Sequence, residues 1–309
     1  MNKILLVDIG GTSIRSAYCD DSISELLEVK QELILNSSEV NEILSNLINS
    51  EDKKISNLVI SVAGPKINNS IQMTNRDYSL DSENLKSKYN LENVFLLNDW
   101  EAIAYSSAYI SSQDVKIIKK GNHFNSTSLF IGPGTGLGAS ILVNDKTVLT
   151  TELGNTNLAI DALLKNYNLQ NEFSDINNLE DVLSGSGLSK IYNHLHKVDI
   201  SSEEIFELAR NGNQAPIDII SAFIKTLANV LSDLSLTYLP GKSIYIVGGL
   251  GRALMEFIDQ EEFNKMFLFG KSKNHFEILN SIEISIVTKK HMALYGNLNY
   301  FNLIQKGLT

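Results

Sequence analysis

Apolar residues fall into short runs along this chain, and each run stops at a glycine, an aspartate or a proline, the pattern of buried strands closed by turns. Ile4 to Val7 is the first such run. It is bounded by Asp8-Ile9-Gly10-Gly11-Thr12, and Ile14 to Tyr18 alternates beyond the turn, predicting strand, turn, strand. Leu58 to Val62 predicts a further strand ending at Ala63-Gly64-Pro65, and Val94 to Leu97 one that runs into Asn98-Asp99. After it Trp100, Ile103, Ala104 and Ala108 recur at the spacing of one helical face.

A second block then repeats the first. Ser128 to Ile131 is a strand, Gly132 to Gly136 a turn, and Ala139 to Val143 a strand again. The recurrence has the form of two related lobes. The following stretch is largely helical. Ser201 and Glu204 form a capping box, Pro216 suits a helix's first turn, and apolar residues recur at helical spacing from Ile217 to Leu239 before Pro240-Gly241. Ile244 to Val247 is a strand ending in Gly248-Gly249-Leu250-Gly251, Ile282 to Val287 a last strand, and His291 to Ile304 a last helix.

Composition narrows the function classes. A chain of 309 residues, 43% hydrophobic and 20% charged, is an ordinary globular sequence long enough for about two domains. The single Cys19 excludes an internal disulfide and a cysteine-based zinc cluster. A net charge of -10 argues against nucleic-acid and anionic-membrane partners. An anionic ligand would have to be held by backbone NH groups and a metal. No targeting signal is evident in the opening residues, which predicts a cytoplasmic protein.

Eleven of the 19 glycines lie in the groups Gly10-Gly11, Gly132 to Gly138, Gly185-Gly187 and Gly248 to Gly251. Glycine lets successive backbone NH groups approach a ligand, and hydroxyls within or beside three of these groups (Thr12, Ser13, Thr135, Ser184, Ser186) point to phosphate rather than to turn punctuation alone. Two other nucleotide signatures fail. Gly241-Lys242-Ser243 lacks the first glycine of a Walker loop, which would be at Leu236, and precedes a strand. Gly134, Gly136 and Ala139 have dinucleotide-fingerprint spacing, yet they enter a strand where that turn must enter a helix.

Among the carboxylates, Asp8 stands at a strand end beside a phosphate nest, where it is repulsive unless a cation such as Mg²⁺ lies between; its alternative role is to cap the turn. Asp99 either caps the helix it opens or serves as a general base in phosphoryl transfer, and the glycine groups favour the base. Asn75, Asn98, Glu152, Asn155 and Glu180 carry the donors and acceptors that sugar hydroxyls need, although each alone reads as a solvated position. The five histidines form no zinc grouping. His194 and His196, on different faces of a helix, read as surface residues.

In order along the chain, these segments resemble the bacterial glucokinases of the hexokinase and actin-like ATPase superfamily. Asp8 to Arg15 looks like the first phosphate motif, and Gly132 to Gly138 like the second. Met73-Thr74-Asn75 and Leu97 to Ala102 look like the sugar-side and catalytic segments. Glu180 with Val182 to Leu188 resembles the sugar-contacting glutamate and its turn, and Ile246 to Gly249 the adenosine motif.

The resemblance implies two ribonuclease-H-like α/β lobes around a central cleft, 1–108 plus 297–309 and 109–296. It implies ATP-dependent phosphorylation of glucose at the 6-hydroxyl, with Asp99 as catalytic base. Asn75, Asn98, Asp99, Glu152, Asn155 and Glu180 would bind sugar. Asp8, Gly10, Gly11, Thr12, Gly134, Thr135, Gly248 and Gly249 would bind ATP, with Asp8 on Mg²⁺. A homodimer is an expectation of the family alone. Where the family has Glu-Gly-Gly-His, this chain has Glu152-Leu153-Gly154-Asn155. The added bulk of Leu153 and the uncharged, shorter Asn155 raise a kinase for another hexose or an amino sugar as the alternative. A catalytically silent sugar-binding regulator is the rival of a different class.

Overall fold

A computed structural model describes residues 3–20, 25–50, 54–74, 77–169 and 175–308. Asn75 lies outside the described residues. In chain order the first elements are strands β1 (Lys3–Ile9), β2 (Ser13–Asp20) and β3 (Leu27–Leu33), helix α1 (Ser37–Ile48), and strand β4 (Ile55–Val62). The short strands β5 (Lys66–Ile67), β6 (Ser70–Gln72) and β7 (Ser79–Asp81) follow, then α2 (Ser82–Tyr89), β8 (Asn93–Asn98) and α3 (Asp99–Tyr105). Next come β9 (Val115–Lys119), β10 (Thr127–Pro133), β11 (Leu137–Val143), β12 (Thr147–Thr150), α4 (Ile160–Leu164), α5 (Gly185–His196), α6 (Ser202–Arg210) and α7 (Gln214–Tyr238). The chain closes with β13 (Ser243–Ile246), α8 (Gly249–Leu254), α9 (Gln260–Leu268), α10 (Phe276–Ser281), β14 (Ile284–Val287) and α11 (Met292–Gln305).

The chain divides into two compact units, one of residues 1–110, 145–150 and 289–309, the other of residues 111–144 and 151–288. The returning segment of the first unit starts before α11, so the whole of that helix stays with one unit rather than being divided at 297.

In the first unit the sheet order is β3-β2-β1-β4-β8, with β1 antiparallel to β2 and parallel to β4. Side chains alternate across a strand, so β1 serves two cores. Leu5, Val7 and Ile9 pack with Val40 and Leu44 of α1, while Ile4 and Leu6 pack with Ala102 of α3 and Leu298 and Phe301 of α11. Cys19 is buried in that second core as a small apolar residue.

The second unit repeats the arrangement. Its strands run β11-β10-β13-β14-β9, with β10 antiparallel to β11 and parallel to β13. Leu129, Ile131, Ile244, Ile246, Ile284 and Ile286 meet α7, α9 and α5 in one core. Of the helices described, α7 is long and apolar enough to cross a membrane, but 13 of its residues are buried, nine of them apolar side chains of this core, which accounts for its composition. It ends as expected at Pro240-Gly241, with Leu239 in the left-handed conformation. The capping box of Ser201 and Glu204 is present at the start of α6.

Gly296 carries the packing of α11 on the first unit. A Cβ there would lie 1.6 Å from the Ala102 carbonyl oxygen of α3, so the two helices touch backbone to backbone. Gly296→Ala is therefore expected to destabilise the protein by about 3 kcal/mol or more through overpacking that no rotamer can relieve. Urea unfolding checks this, and a midpoint equal to wild type would contradict the backbone contact.

Candidate functional site

In the first unit the site is built on two strand ends. The β1–β2 hairpin sets Asp8 opposite Arg15 and Ile9 opposite Ile14, leaving Gly10, Gly11 and Thr12 as the turn, closed by the Gly10 NH donating to the Ser13 carbonyl at 3.0 Å. Asp8 falls on the face of β1 that packs against α3 and α11, and it is 8% exposed. Arg15 Nη1 donates to Asp8 Oδ2 at 3.1 Å, and the hydroxyl of Ser61, its cross-strand neighbour on β4, donates to Oδ1 at 3.0 Å. Asn297 of α11 donates to Ser61 Oγ at 3.2 Å and to the Val7 carbonyl at 2.8 Å.

Burial pushes the Asp8 carboxyl above its ordinary value, opposed by Arg15 and Ser61. His291, in the turn before α11, senses the same pair. Burial, then the charges of Arg15 and Lys290, lowers its proton affinity.

β8 delivers the second strand end. The cap of α3 is Asn98, whose side-chain oxygen accepts from the NH groups of Trp100 at 2.9 Å and Glu101 at 3.3 Å, while Glu101 Oε2 accepts from the Asn98 NH at 3.2 Å. Of the two roles considered for Asp99, the capping one belongs to its neighbour Asn98, and Asp99 is the first helical residue. Asn98 also donates from Nδ2 to the Gly64 carbonyl at 2.8 Å, which uses one of its two amide N–H bonds. Burial raises the Glu101 carboxyl's proton affinity, with Lys66 at 3.9 Å opposing.

In the second unit Pro133 pairs with Leu137, so Gly134 to Gly136 form the tip of a hairpin that enters a strand, as its spacing predicts. The Gly134 NH donates to the Gly136 carbonyl at 2.7 Å, and the Gly134 carbonyl accepts from the Gly185 NH at the start of α5 at 2.7 Å. A cavity of about 610 Å³ opens beside this hairpin. Gly134, Thr135 and Gly249 line one part of it, and Gly248 is the cap of α8 next to Gly249. Phe206, Leu250 and Ala253 form an apolar wall, and Ser201, Ser202 and Glu203 a polar one.

Glu180 connects this hairpin to the segment expected to hold sugar. Its Oε2 accepts from the Leu137 NH at 3.3 Å, and it would lie 2.6 Å from a Cβ on Gly136 and 3.2 Å from one on Gly154. Asn155 Nδ2 donates to Glu152 Oε2 at 3.2 Å, both side chains being exposed. Leu153 is 6% exposed and joins the core of the second unit. Its bulk is taken up by that core. Asn155 remains as the departure from the family pattern.

Several lining residues had no sequence signal. Ser201 and Glu204 were legible only as a helix start, and nothing in α6 marks Glu203, Phe206 or Arg210 as facing a cavity. Arg15 could have been found, since a hairpin turning at Gly10 to Thr12 places it across from Asp8. His194 and His196 are exposed, and the described residues contain no group of three metal-binding side chains.

Repeated glycine-tipped hairpins on two like sheets, a carboxylate at each strand end of the first unit, and a cavity beside the second hairpin are carried on a fold of the actin-like ATPase type. The family described as Glucokinase matches residues 5–303. The chain belongs to the glucokinase family, whose members are sugar kinases using ATP. It is 29% identical to a glucokinase of Colwellia psychrerythraea, over 97% of this chain and 96% of that one. It is 28% identical to a glucokinase of Campylobacter jejuni subsp. doylei, over 94% and 92%. In fold it is similar to a glucokinase from an Antarctic psychrotroph, with a TM-score of 0.77, 24% identity, and 97% and 98% of the two chains covered.

The burial of Asp8 carries a stability cost. A carboxyl whose folded value lies above its unfolded one contributes stability below the unfolded value and loses it as pH rises through the folded value. Asp8→Asn is therefore expected to unfold at or above the wild-type temperature at pH 7 while losing activity. Thermal scans at pH 4 and pH 7 check the sign: the variant's advantage should grow with pH, and a variant less stable at pH 7 than at pH 4 relative to wild type contradicts it.

Proposed function

We propose that this protein transfers the γ-phosphoryl group of ATP to the 6-hydroxyl of glucose, with Asp99 as general base. The observation that carries the reading is the capping box of Asn98 and Glu101, which fixes the start of α3 and gives the capping role to Asn98 rather than to Asp99. Asp99 takes the proton of the sugar hydroxyl as that oxygen bonds to the γ-phosphorus, and ADP departs with the bonding pair of the broken P–O bond. Glu152, paired with Asn155, and Glu180 accept from the remaining hydroxyls, the second amide N–H of Asn98 donates to one, and Asn75 is a further sugar-side partner. Such a site discriminates against sugars lacking those hydroxyls, because its own polar groups would go unpaired.

The nucleotide occupies the cavity of the second unit, its base against Phe206, Leu250 and Ala253 and its phosphates at Gly134 and Thr135, with Gly248 and Gly249 beneath the adenosine. Gly10, Gly11 and Thr12 supply further NH and hydroxyl donors to phosphate. Asp8 fits Mg²⁺: it is a hard oxygen donor whose Oδ1 accepts from Ser61 and Oδ2 from Arg15, each oxygen keeping a further lone pair, and Mg²⁺ is commonly held by one or two carboxylates with substrate phosphates. When bound, the ion would neutralise charge on the phosphates. A soluble cytoplasmic enzyme is consistent with this reading.

A coupled ADP-release assay across a hexose panel tests it. Glucose is expected to give the highest kcat/KM, and an amino sugar or another hexose giving the highest value would move the substrate, with Asn155 as the first residue to examine. Asp99→Asn is expected to lower kcat by about 10³-fold with sugar affinity nearly intact, and wild-type turnover in that variant removes Asp99 from the mechanism. Excess chelator is expected to abolish turnover, and full activity in it contradicts the Mg²⁺ assignment.

A further inference from the structure

Among the serines near the cavity, two form a chain of hydrogen bonds whose direction is fully determined. The Ser186 hydroxyl donates to the Thr135 carbonyl at 2.6 Å, at the tip of the glycine hairpin. Ser184 Oγ and Ser186 Oγ are 2.9 Å apart. A hydroxyl has one proton, and that of Ser186 is given to Thr135, so Ser184 must be the donor between them. Ser184 Oγ in turn accepts from the Gly187 NH at 2.9 Å, as the cap of α5. The chain therefore runs from the first turn of α5 through two hydroxyls to one carbonyl of the hairpin.

We infer that Ser186 is a positioning residue for the nucleotide's phosphates: by holding the Thr135 carbonyl it sets the plane of the Thr135–Gly136 peptide and so aims the Gly136 NH at phosphate oxygen. The inference rests on the nucleotide assignment made above. In a trans peptide the carbonyl and the following NH point in opposite directions, so one hydrogen bond to the oxygen fixes both. A bare carbonyl at the tip would repel an anion. Engaged by a hydroxyl, it is turned to Ser186, and the hairpin presents NH groups instead. The neighbouring bond from the Gly185 NH to the Gly134 carbonyl does the same for the preceding peptide, and a Cβ on Gly185 would come within 3.0 Å of that oxygen. Ser186 is exposed in the cavity wall, so its hydroxyl is not needed for the core, and the cap of α5 belongs to Ser184.

The test uses the full chain with Ser186→Ala and Ser186→Thr. Binding of adenosine and of the non-hydrolysable ATP analogue AMPPNP is measured by calorimetry, with KM for ATP and kcat measured alongside. In Ser186→Ala the AMPPNP affinity is expected to fall at least tenfold, with a matching rise in KM for ATP. Adenosine affinity and kcat at saturating ATP should stay within about threefold, and Ser186→Thr should restore AMPPNP binding. Equal losses for adenosine and AMPPNP would show a general loss of structure and overturn the positioning role. So would an unchanged AMPPNP affinity in Ser186→Ala, or a threonine variant as impaired as alanine although it binds adenosine normally. A wild-type protein that binds neither ligand would instead overturn the nucleotide assignment itself, and this inference with it.

Discussion

A buried carboxylate at the end of β1 sets the terms for the first unit. Asp8 is short of water, and its charge is opposed by burial, so the surrounding residues must supply what solvent would have given. Arg15 supplies charge, Ser61 a hydroxyl, and Asn297 holds Ser61 in place from the far end of the chain. The return of α11 to the first sheet is thereby tied to the site. Gly296 brings the helix close enough, and the next residue makes the polar contact. Packing and chemistry use adjacent positions of one helix.

The second unit meets a different requirement with the same scaffold. Under the proposed function its hairpin offers NH groups to an anion although the protein's net charge is -10. Backbone conformation has to do what surface lysines do elsewhere, and every carbonyl at the tip is a liability. The structure disposes of them one by one: Gly136 accepts from Gly134, Gly134 from Gly185, and Thr135 from Ser186. Glu180 lies against the same hairpin and against Gly154, so the two segments share a carboxylate as a wall. Glycine at 136 and 154 leaves room for it.

Much of this was legible from residue pattern. The two strand–turn–strand blocks, the capping box at Ser201, the end of the long helix at Pro240 and the strand-entering glycine turns are all local features, set by side-chain period and turn chemistry within a few residues. Asp99 was legible as a special position but not its exact duty, because whether Asn98 or Asp99 caps α3 depends on one residue of register. The surroundings of Leu153 were not legible for a related reason. A side chain inside a polar segment carries no mark of whether it faces ligand or core, and here the core of the second unit takes it.

What the sequence determined by itself is therefore the set of local units and the chemistry each can offer: glycine turns that expose NH groups, carboxylates at strand ends, and apolar runs that must be buried. Those follow from interactions between near neighbours. Tertiary structure alone decided which distant residues complete them, as with Asn297 behind Asp8, Ser186 behind Thr135, and Phe206 and Glu203 on the wall of the cavity beside the second hairpin. These residues act through contacts made across tens to hundreds of positions, and no periodicity or motif records such a contact before the sheets and helices pack.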